Sequence, residues 1–275
     1  MFYKYSISTL KNLLAKIARP KLSKIHKLKG IHQGLDCYIL GDGISIKWFD
    51  LKNFSNKISI ALGLMPFHKS FHLLDMMYLS LPEPYWFYPG FFTKHVTHSC
   101  TMPEISKAYR DIIFENPEKK FILNLSNLPV LQSKNIVYVF RDIFDPRLSR
   151  DFISHRINPF DSSFRTAIVV AIYLGFKRLY LVGCDYTHVP SRKLHWYERG
   201  QGVFSPLENY QKDFLKIAKE FVDITTITLD GTSDFIDAVT YKEYTGHDPV
   251  YQENTELVDP KYLRALSTFP GYTIY

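Results

Sequence analysis

From Cys37 onward, short apolar runs alternate with stretches whose apolar residues recur at helical spacing. Apolar runs bounded by turn residues predict buried strands, and the helical stretches between them predict crossover connections. Together they predict an α/β domain with a mainly parallel, Rossmann-like sheet flanked by helices. The first strand is predicted at Cys37-Tyr38-Ile39-Leu40, followed by Gly41-Asp42-Gly43. Further strands are predicted at Ile58 to Leu62, Tyr85 to Tyr88, Phe121 to Leu123 and Ile136 to Phe140. Residues 103–115 predict a helix with Pro103 near its start.

The clearest unit follows. Ser162 and Ser163 precede the apolar stretch Ala167 to Leu174, and Gly175 marks its end. Lys177-Arg178 then lead into a strand from Leu179 to Gly183. A helix buried on most sides, a glycine stop and a buried strand form a unit of parallel type. Residues 206–221 predict another helix and Thr225 to Leu229 another strand. The division expected is a leader over 1–35, a Rossmann-like domain over 36–245 and an irregular C-terminal lobe or arm over 246–275.

The leader has its own pattern. Ile7, Leu10, Leu13, Leu14 and Ile17 form a helical stripe that Pro20 is expected to end or kink. Residues 1–35 carry eight lysines and arginines and no acid, while the rest holds 26 bases against 27 acids. The net charge of +7 therefore belongs to the leader, and the body is near neutral. The body offers no basic-aromatic cluster, so nucleic acid is not the expected partner. The leader lacks the continuous apolar stretch of a signal peptide, and the chain has no run of ~18 apolar residues to span a membrane. Two readings remain for residues 1–30: a basic amphipathic helix on an anionic membrane surface, or a helix packed on its own domain.

A hydrophobic share of 46% excludes global disorder. Cys37, Cys100 and Cys184 are widely spaced and form no metal or redox pair; Cys37 and Cys184 sit in apolar runs, so they are expected to be buried free thiols, which suits a reducing cytoplasm. His95 and His98 have Cys100 nearby but no fourth ligand at a useful spacing. No P-loop, nucleophile elbow or GxGxxG is present. Neither a metal nor a cofactor is expected.

Ligands of open parallel sheets bind beyond the carboxyl ends of the strands. After the first strand, Gly41, Asp42, Gly43 and Ser45 can turn sharply and offer amides and a hydroxyl to a phosphate, or form a tight turn with Ser45 as cap. After the strand ending at Gly183 come Asp185 and Tyr186, with the carboxylate placed to bind a ribose hydroxyl or to cap the turn. His188 and His195 follow in a polar, aromatic-flanked stretch and are the candidates for proton transfer.

Two blocks carry a family resemblance. "GIHQGLDCYILGDGISIKWFDL" resembles the opening of a bacterial family with an "IHKG" lead before "CFILGNGPSL". "SSFRTAIVVAIYLGFKRLYLVGCDYTH" resembles its second conserved stretch. The family is the hydroxymethylpterin pyrophosphokinase-like proteins (domain of unknown function 115), similar to the family 42 sialyltransferases. "YWFYPGFF", "HWY" and "ITLDGTSDFIDAVTY" resemble lesser family elements. Asp42 stands where the family usually has asparagine, Gly63 falls near another family asparagine, and Phe204 falls near the sialyltransferase base histidine.

The resemblance implies a metal-independent glycosyltransferase of GT-A-like type. It would move a sugar acid from a CMP-activated donor to a surface glycan or glycolipid acceptor, at the cytoplasmic face of the cell membrane. His195 would be the base, with His188 second. Gly41, Asp42, Gly43, Ser45, Ser162, Ser163, Asp185 and Tyr186 would bind the nucleotide, Ser163 near its phosphate and Asp185 on ribose or sugar. The other branch implies a Mg²⁺-dependent pyrophosphokinase on a pterin-like alcohol, with Asp42 and Asp185 holding the metal. A non-catalytic nucleotide-binding scaffold of glycan assembly is the third reading.

Overall fold

The computed structural model describes residues 16–83, 87, 102–140, 162–187, 191–205, 211–233 and 236–275. Its centre is an eight-stranded sheet. In chain order the strands are β1 (Asp36–Leu40), β2 (Ser59–Leu62), β3 (Met76–Leu81), β4 (Lys120–Asn124), β5 (Ile136–Val139) and β6 (Arg178–Val182). A two-stranded antiparallel ribbon, β7 (Ser191–Lys193) and β8 (Val203–Ser205), stands apart. β9 (Asp223–Thr228) and β10 (Asp237–Thr240) then complete the sheet. The order is β10-β9-β6-β1-β2-β3-β4-β5, and every neighbouring pair runs parallel. The expected α/β, Rossmann-like fold is the one observed.

Side chains alternate between two cores, as strand geometry requires. Tyr38, Leu40, Ala61, Leu79 and Phe121 face one core, shared with helix Pro103–Glu115. Cys37, Ile39, Ile60, Tyr78 and Ile122 face the other, shared with helix Ser163–Leu174. Both faces are covered, which is why the strands read as continuous apolar runs. Cys37 and Cys184 are buried free thiols, while Cys100, His95 and His98 lie outside the described residues.

Helix Ser163–Leu174 has the predicted caps. Ser162 Oγ accepts the Arg165 amide at 3.2 Å, and Gly175 takes the left-handed conformation at φ 90°. The segment after the leader adds to this end. The amides of Gly30, His32 and Gly34 donate to the carbonyls of Tyr173, Leu174 and Gly175 at 2.9, 2.9 and 3.2 Å. The "IHQG" motif thus satisfies the carbonyls a helix leaves open at its C-terminus.

Three expectations need correction. β3 lies at Met76–Leu81, not at Tyr85 to Tyr88; Phe87 sits in a turn, and residues 84–86 and 88 lie outside the described residues. Ser80 interrupts the apolar run of β3, yet it is buried, its hydroxyl donating to the Ser163 carbonyl at 3.4 Å. The strand β10 was not expected, because Asp237-Ala238-Val239-Thr240 is too polar to announce itself. The helix expected over 206–221 is observed at Lys212–Ala218, with 206–210 outside the described residues. Pro20 sits in the first turn of Arg19–Leu22, where its missing N–H costs nothing, and the helical residues at 16–17 give way to a turn at Ala18, the break expected at this proline.

Most of the apolar stripe of the leader lies outside the described residues, but Leu22, Ile25 and Leu28 are buried in the two cores. Residues 246–275 also reach the core. Helices Asn254–Leu257 and Pro260–Leu266 bring in Leu257, Leu263 and Leu266, and Val258 bridges to His68. Among the described residues no helix is long and apolar enough to cross a membrane.

Candidate functional site

The chain runs outward from β1 through β5, crosses back to β6 beside β1, and continues outward on the other side. Strand direction of travel reverses between β1 and β6, the place where open parallel sheets leave a crevice at their carboxyl ends. A cavity of about 610 Å³ opens there. Its wall comes from the ends of β1 (Gly41 to Gly43), β2 (Leu62 to Leu64), β3 (Leu81, Glu83) and β6 (Gly183, Cys184, Tyr186, Thr187). Ser162 to Phe164 at a helix start, His195 and Tyr197 from the β7–β8 connection, Gln211 and Tyr272 close it. No lysine or arginine is among these described lining residues.

The amides of Gly41 and Gly43 are not free. Gly41 N–H donates to the Val182 carbonyl at 2.8 Å and Gly43 N–H to the Gly183 carbonyl at 2.7 Å. A Cβ on either glycine would lie 2.5 Å from the Gly183 oxygen. The glycines therefore let two strand-end loops touch backbone to backbone, and the phosphate-cradling role expected of these amides is not open to them. Ser45 also turns away. Its amide donates to Asp185 Oδ2 at 2.7 Å, and both residues line a separate cavity of about 130 Å³. The carboxylate of Asp185 satisfies the first turn of the 3₁₀ helix Ile44–Trp48, a capping role. Ser45 Oγ is buried with no hydrogen-bond partner among the described residues.

Asp42 stays in the main cavity. Its carboxylate accepts the Leu64 amide at 2.9 and 3.2 Å on its two oxygens and the Trp196 Nε1–H at 3.3 Å. Burial pushes its pKa up to about 6, partly offset by His195, the Leu64 amide and Trp196. Gly63 is at φ +41°, and a Cβ there would lie 1.7 Å from Asp42 Oδ2. Asp42 and Gly63 depend on each other: the carboxylate occupies the space a side chain at 63 would need. Glu83 is the second acid of the cavity and accepts a hydrogen bond from Ser163 Oγ.

His195 faces this acid pair with a partner of its own. Its backbone amide and Nδ1 both bond Glu198 Oε1, at 2.9 and 2.7 Å. Glu198 is buried, and its Oε2 accepts the Thr273 amide at 2.9 Å. Burial alone would raise Glu198, but the bonds from His195 and Thr273 outweigh it and hold the carboxyl below its ordinary range. A carboxylate can only accept, so Nδ1 carries a proton, and in the neutral ring the lone pair then lies on Nε2. The imidazole is stacked on Tyr197 at 5.0 Å and meets Tyr272 edge-on at 5.7 Å. Leu194, just before it, is at φ 85°, an uncommon conformation for a non-glycine residue, and His195 then bridges back to Gly43.

Of the residues singled out in the sequence, Gly41, Asp42, Gly43, Ser162, Ser163, Tyr186 and His195 line one cavity. Ser45 and Asp185 line the other, and His188 lies outside the described residues. The sequence reading missed Glu198, although it stands three residues after His195 in the same aromatic stretch. It also missed Glu83, Gln211 and Tyr272, which no local pattern marks. Asp42 and Asp185 do not share a cavity, so they do not form the paired metal site of the pyrophosphokinase reading. Among the described residues, no group of three His, Cys, Asp or Glu is placed to hold a metal ion.

No protein-family model matches the chain, and no curated protein matches it. Among solved structures, it is similar to a MAf glycosyltransferase from Magnetospirillum magneticum AMB-1, at 14% identity and a TM-score of 0.45. That match covers 90% of this chain, which spans 41% of the other protein's length.

As chemistry, the arrangement pairs a proton acceptor with hydroxyl-bonding groups. His195 Nε2 can take a proton while Glu198 stabilises the resulting imidazolium. Ser162 and the first-turn amides of the twelve-residue helix that its cap does not take suit an anion, while Asp42 and Glu83 suit hydroxyls, Glu83 already holding the Ser163 hydroxyl.

Proposed function

We propose that the protein is a glycosyltransferase of the sialyltransferase-like type, transferring a sugar from a CMP-activated donor to a glycan or glycolipid acceptor. The observation that carries the reading is the Glu198-backed His195 in a cavity at the strand-order reversal. The two blocks of family resemblance support it.

In this reading the acceptor hydroxyl attacks the anomeric carbon as the bond from that carbon to the CMP phosphate oxygen breaks. The hydroxyl proton passes to His195 Nε2, and CMP leaves with the bonding electrons. Ser162 and the helix start bind the phosphate, since the Gly41 and Gly43 amides are taken. Asp42 and Glu83 bind sugar or ribose hydroxyls. A sugar acid, the expected donor class, would keep its own carboxylate away from these two acids. The basic leader would hold the enzyme beside an anionic membrane. Replacing Lys4, Lys11 and Lys16 by Gln should weaken sedimentation with phosphatidylglycerol vesicles, and unchanged sedimentation would exclude that role.

The test is calorimetric titration with CMP, followed by incubation with CMP-sugars and measurement of CMP release. Binding of CMP with turnover that His195→Ala abolishes is the expected result. Absence of CMP binding overturns the reading. Binding without turnover on any donor, unchanged by His195→Ala, leaves a nucleotide-binding scaffold instead.

A further inference from the structure

The histidine-glutamate pair is not held by its own loop alone. Residues 253–274 run along the segment Tyr197 to Gly200 and bond it repeatedly. Thr273 N–H donates to Glu198 Oε2 at 2.9 Å, and Arg199 N–H donates back to the Thr273 carbonyl at 2.7 Å. Asn254 Nδ2 reaches both the Tyr197 and Ile274 carbonyls at 3.0 Å. At the far end the Gly200 amide bonds the Glu253 carboxylate at 3.1 and 3.2 Å. Fully buried Lys47 pairs with Glu253 and donates to the Gly200 carbonyl at 2.7 Å. Between these anchors, Tyr272 lines the cavity and meets the rings of His195 and Tyr197 edge-on.

We infer that the segment 253–274 is a working part of the site: the Thr273 amide is a positioning group for Glu198, and Tyr272 forms the wall that keeps the His195 ring facing the cavity. The physical case is one of lone pairs. Glu198 Oε1 takes both bonds from His195, so the carboxylate needs its second oxygen tied if it is to stay in that plane inside a buried site. Thr273 supplies that tie from more than seventy positions away in sequence. A backbone amide serves because it carries no charge that would compete with His195 for the carboxylate. Tyr272 then removes the open space into which the imidazole would otherwise turn. Nothing in the local sequence around His195 provides either constraint. The inference rests on His195 acting as the base, but the placement of its proton can be measured without any substrate.

The experiment is ¹⁵N NMR of histidine-labelled full-length protein, with the His195 signals assigned by their loss in His195→Gln. Wild type should show one fixed tautomer, protonated at Nδ1. Thr273→Pro, which deletes the amide hydrogen, should show averaged tautomers, while Thr273→Ala should keep the wild-type signature. If the proline does not fit the backbone, an amide-to-ester replacement at Thr273 removes the same hydrogen with the side chain intact, and a melting curve confirms the fold. Tyr272→Ala should average the signals as well. In CMP-sugar turnover, the ester variant should lose tenfold or more in kcat with little change in KM. A wild-type tautomer signature in a folded ester variant, or equal disruption by Thr273→Ala, overturns the inference. A fixed Nδ1–H tautomer in wild type with no CMP binding would sink the proposed function and leave this inference standing.

Discussion

His195 and Glu198 show what three positions of spacing can do. A tight turn brings the carboxylate of residue 198 under both the amide and the Nδ1 of residue 195. Replacing Glu198 by Gln keeps the shape but swaps a stabilising charge for a neutral amide. CMP-sugar turnover should fall by roughly 10–100-fold, with CMP affinity unchanged. Asp42 permits a pH prediction. Its folded pKa of about 6 lies above the ordinary value of 3.8, so the native state holds its proton more tightly than the unfolded chain. The stability this contributes is full below the unfolded value and is lost as pH rises through about 6. Asp42→Asn should flatten that slope, narrowing its stability deficit against wild type by roughly 2–3 kcal/mol between pH 4 and 7. Chemical denaturation across that range measures it, and parallel curves for the two proteins would refute it. Gly63→Ala should cost about 2–4 kcal/mol, from the left-handed backbone and the collision with Asp42. The sequence named Asp42 because it follows a strand end and His195 because it stands in a polar, aromatic-flanked stretch. It did not name Glu83 or Tyr272, because their membership depends on which distant segments meet.

Among the elements, helix Ser163–Leu174 was legible to its caps, because a serine before an apolar run and a glycine after it each have a single local job. β3 was not, because the buried Ser80 broke the pattern and its hydrogen bond to Ser163 is tertiary. The loop Gly41 to Ser45 was legible as a turn, with a phosphate cradle and a tight capped turn both open to it. Its glycines answer to a neighbouring strand end that no local pattern reveals. The Lys47–Glu253 pair joins two further elements in the same way. Glu253 is held down to about 2: burial would raise it, but Lys47 and the surrounding donors outweigh that. Glu253→Gln would leave the fully buried Lys47 charge without its partner and should destabilise by about 3–5 kcal/mol. The melting temperature, read beside Glu256→Gln as a control near the same helix, tests this.

For the whole molecule, the leader illustrates how charge and packing divide a segment. Its pattern left open a helix on a membrane surface or one packed on its own domain, and after that stripe Leu22, Ile25 and Leu28 are core residues. Deleting residues 1–30 should therefore lower stability by about 4 kcal/mol or more, from burial of ~1.5–3 kcal/mol per aliphatic side chain. An unchanged urea midpoint would show that these contacts contribute nothing. By itself the sequence determined the class of fold, the strand ends to inspect and seven of the nineteen described residues that line one cavity. Periodicity and caps are local properties, and parallel strands buried on both faces leave a strong apolar signature. Only the tertiary structure decided that Gly41 and Gly43 face a neighbouring loop, that Asp185 caps a turn outside the main cavity, and that residues near 273 complete the histidine pair. Each of these depends on hydrogen bonds between segments far apart in the chain, and a sequence pattern records the periodicity of an element, not its partner.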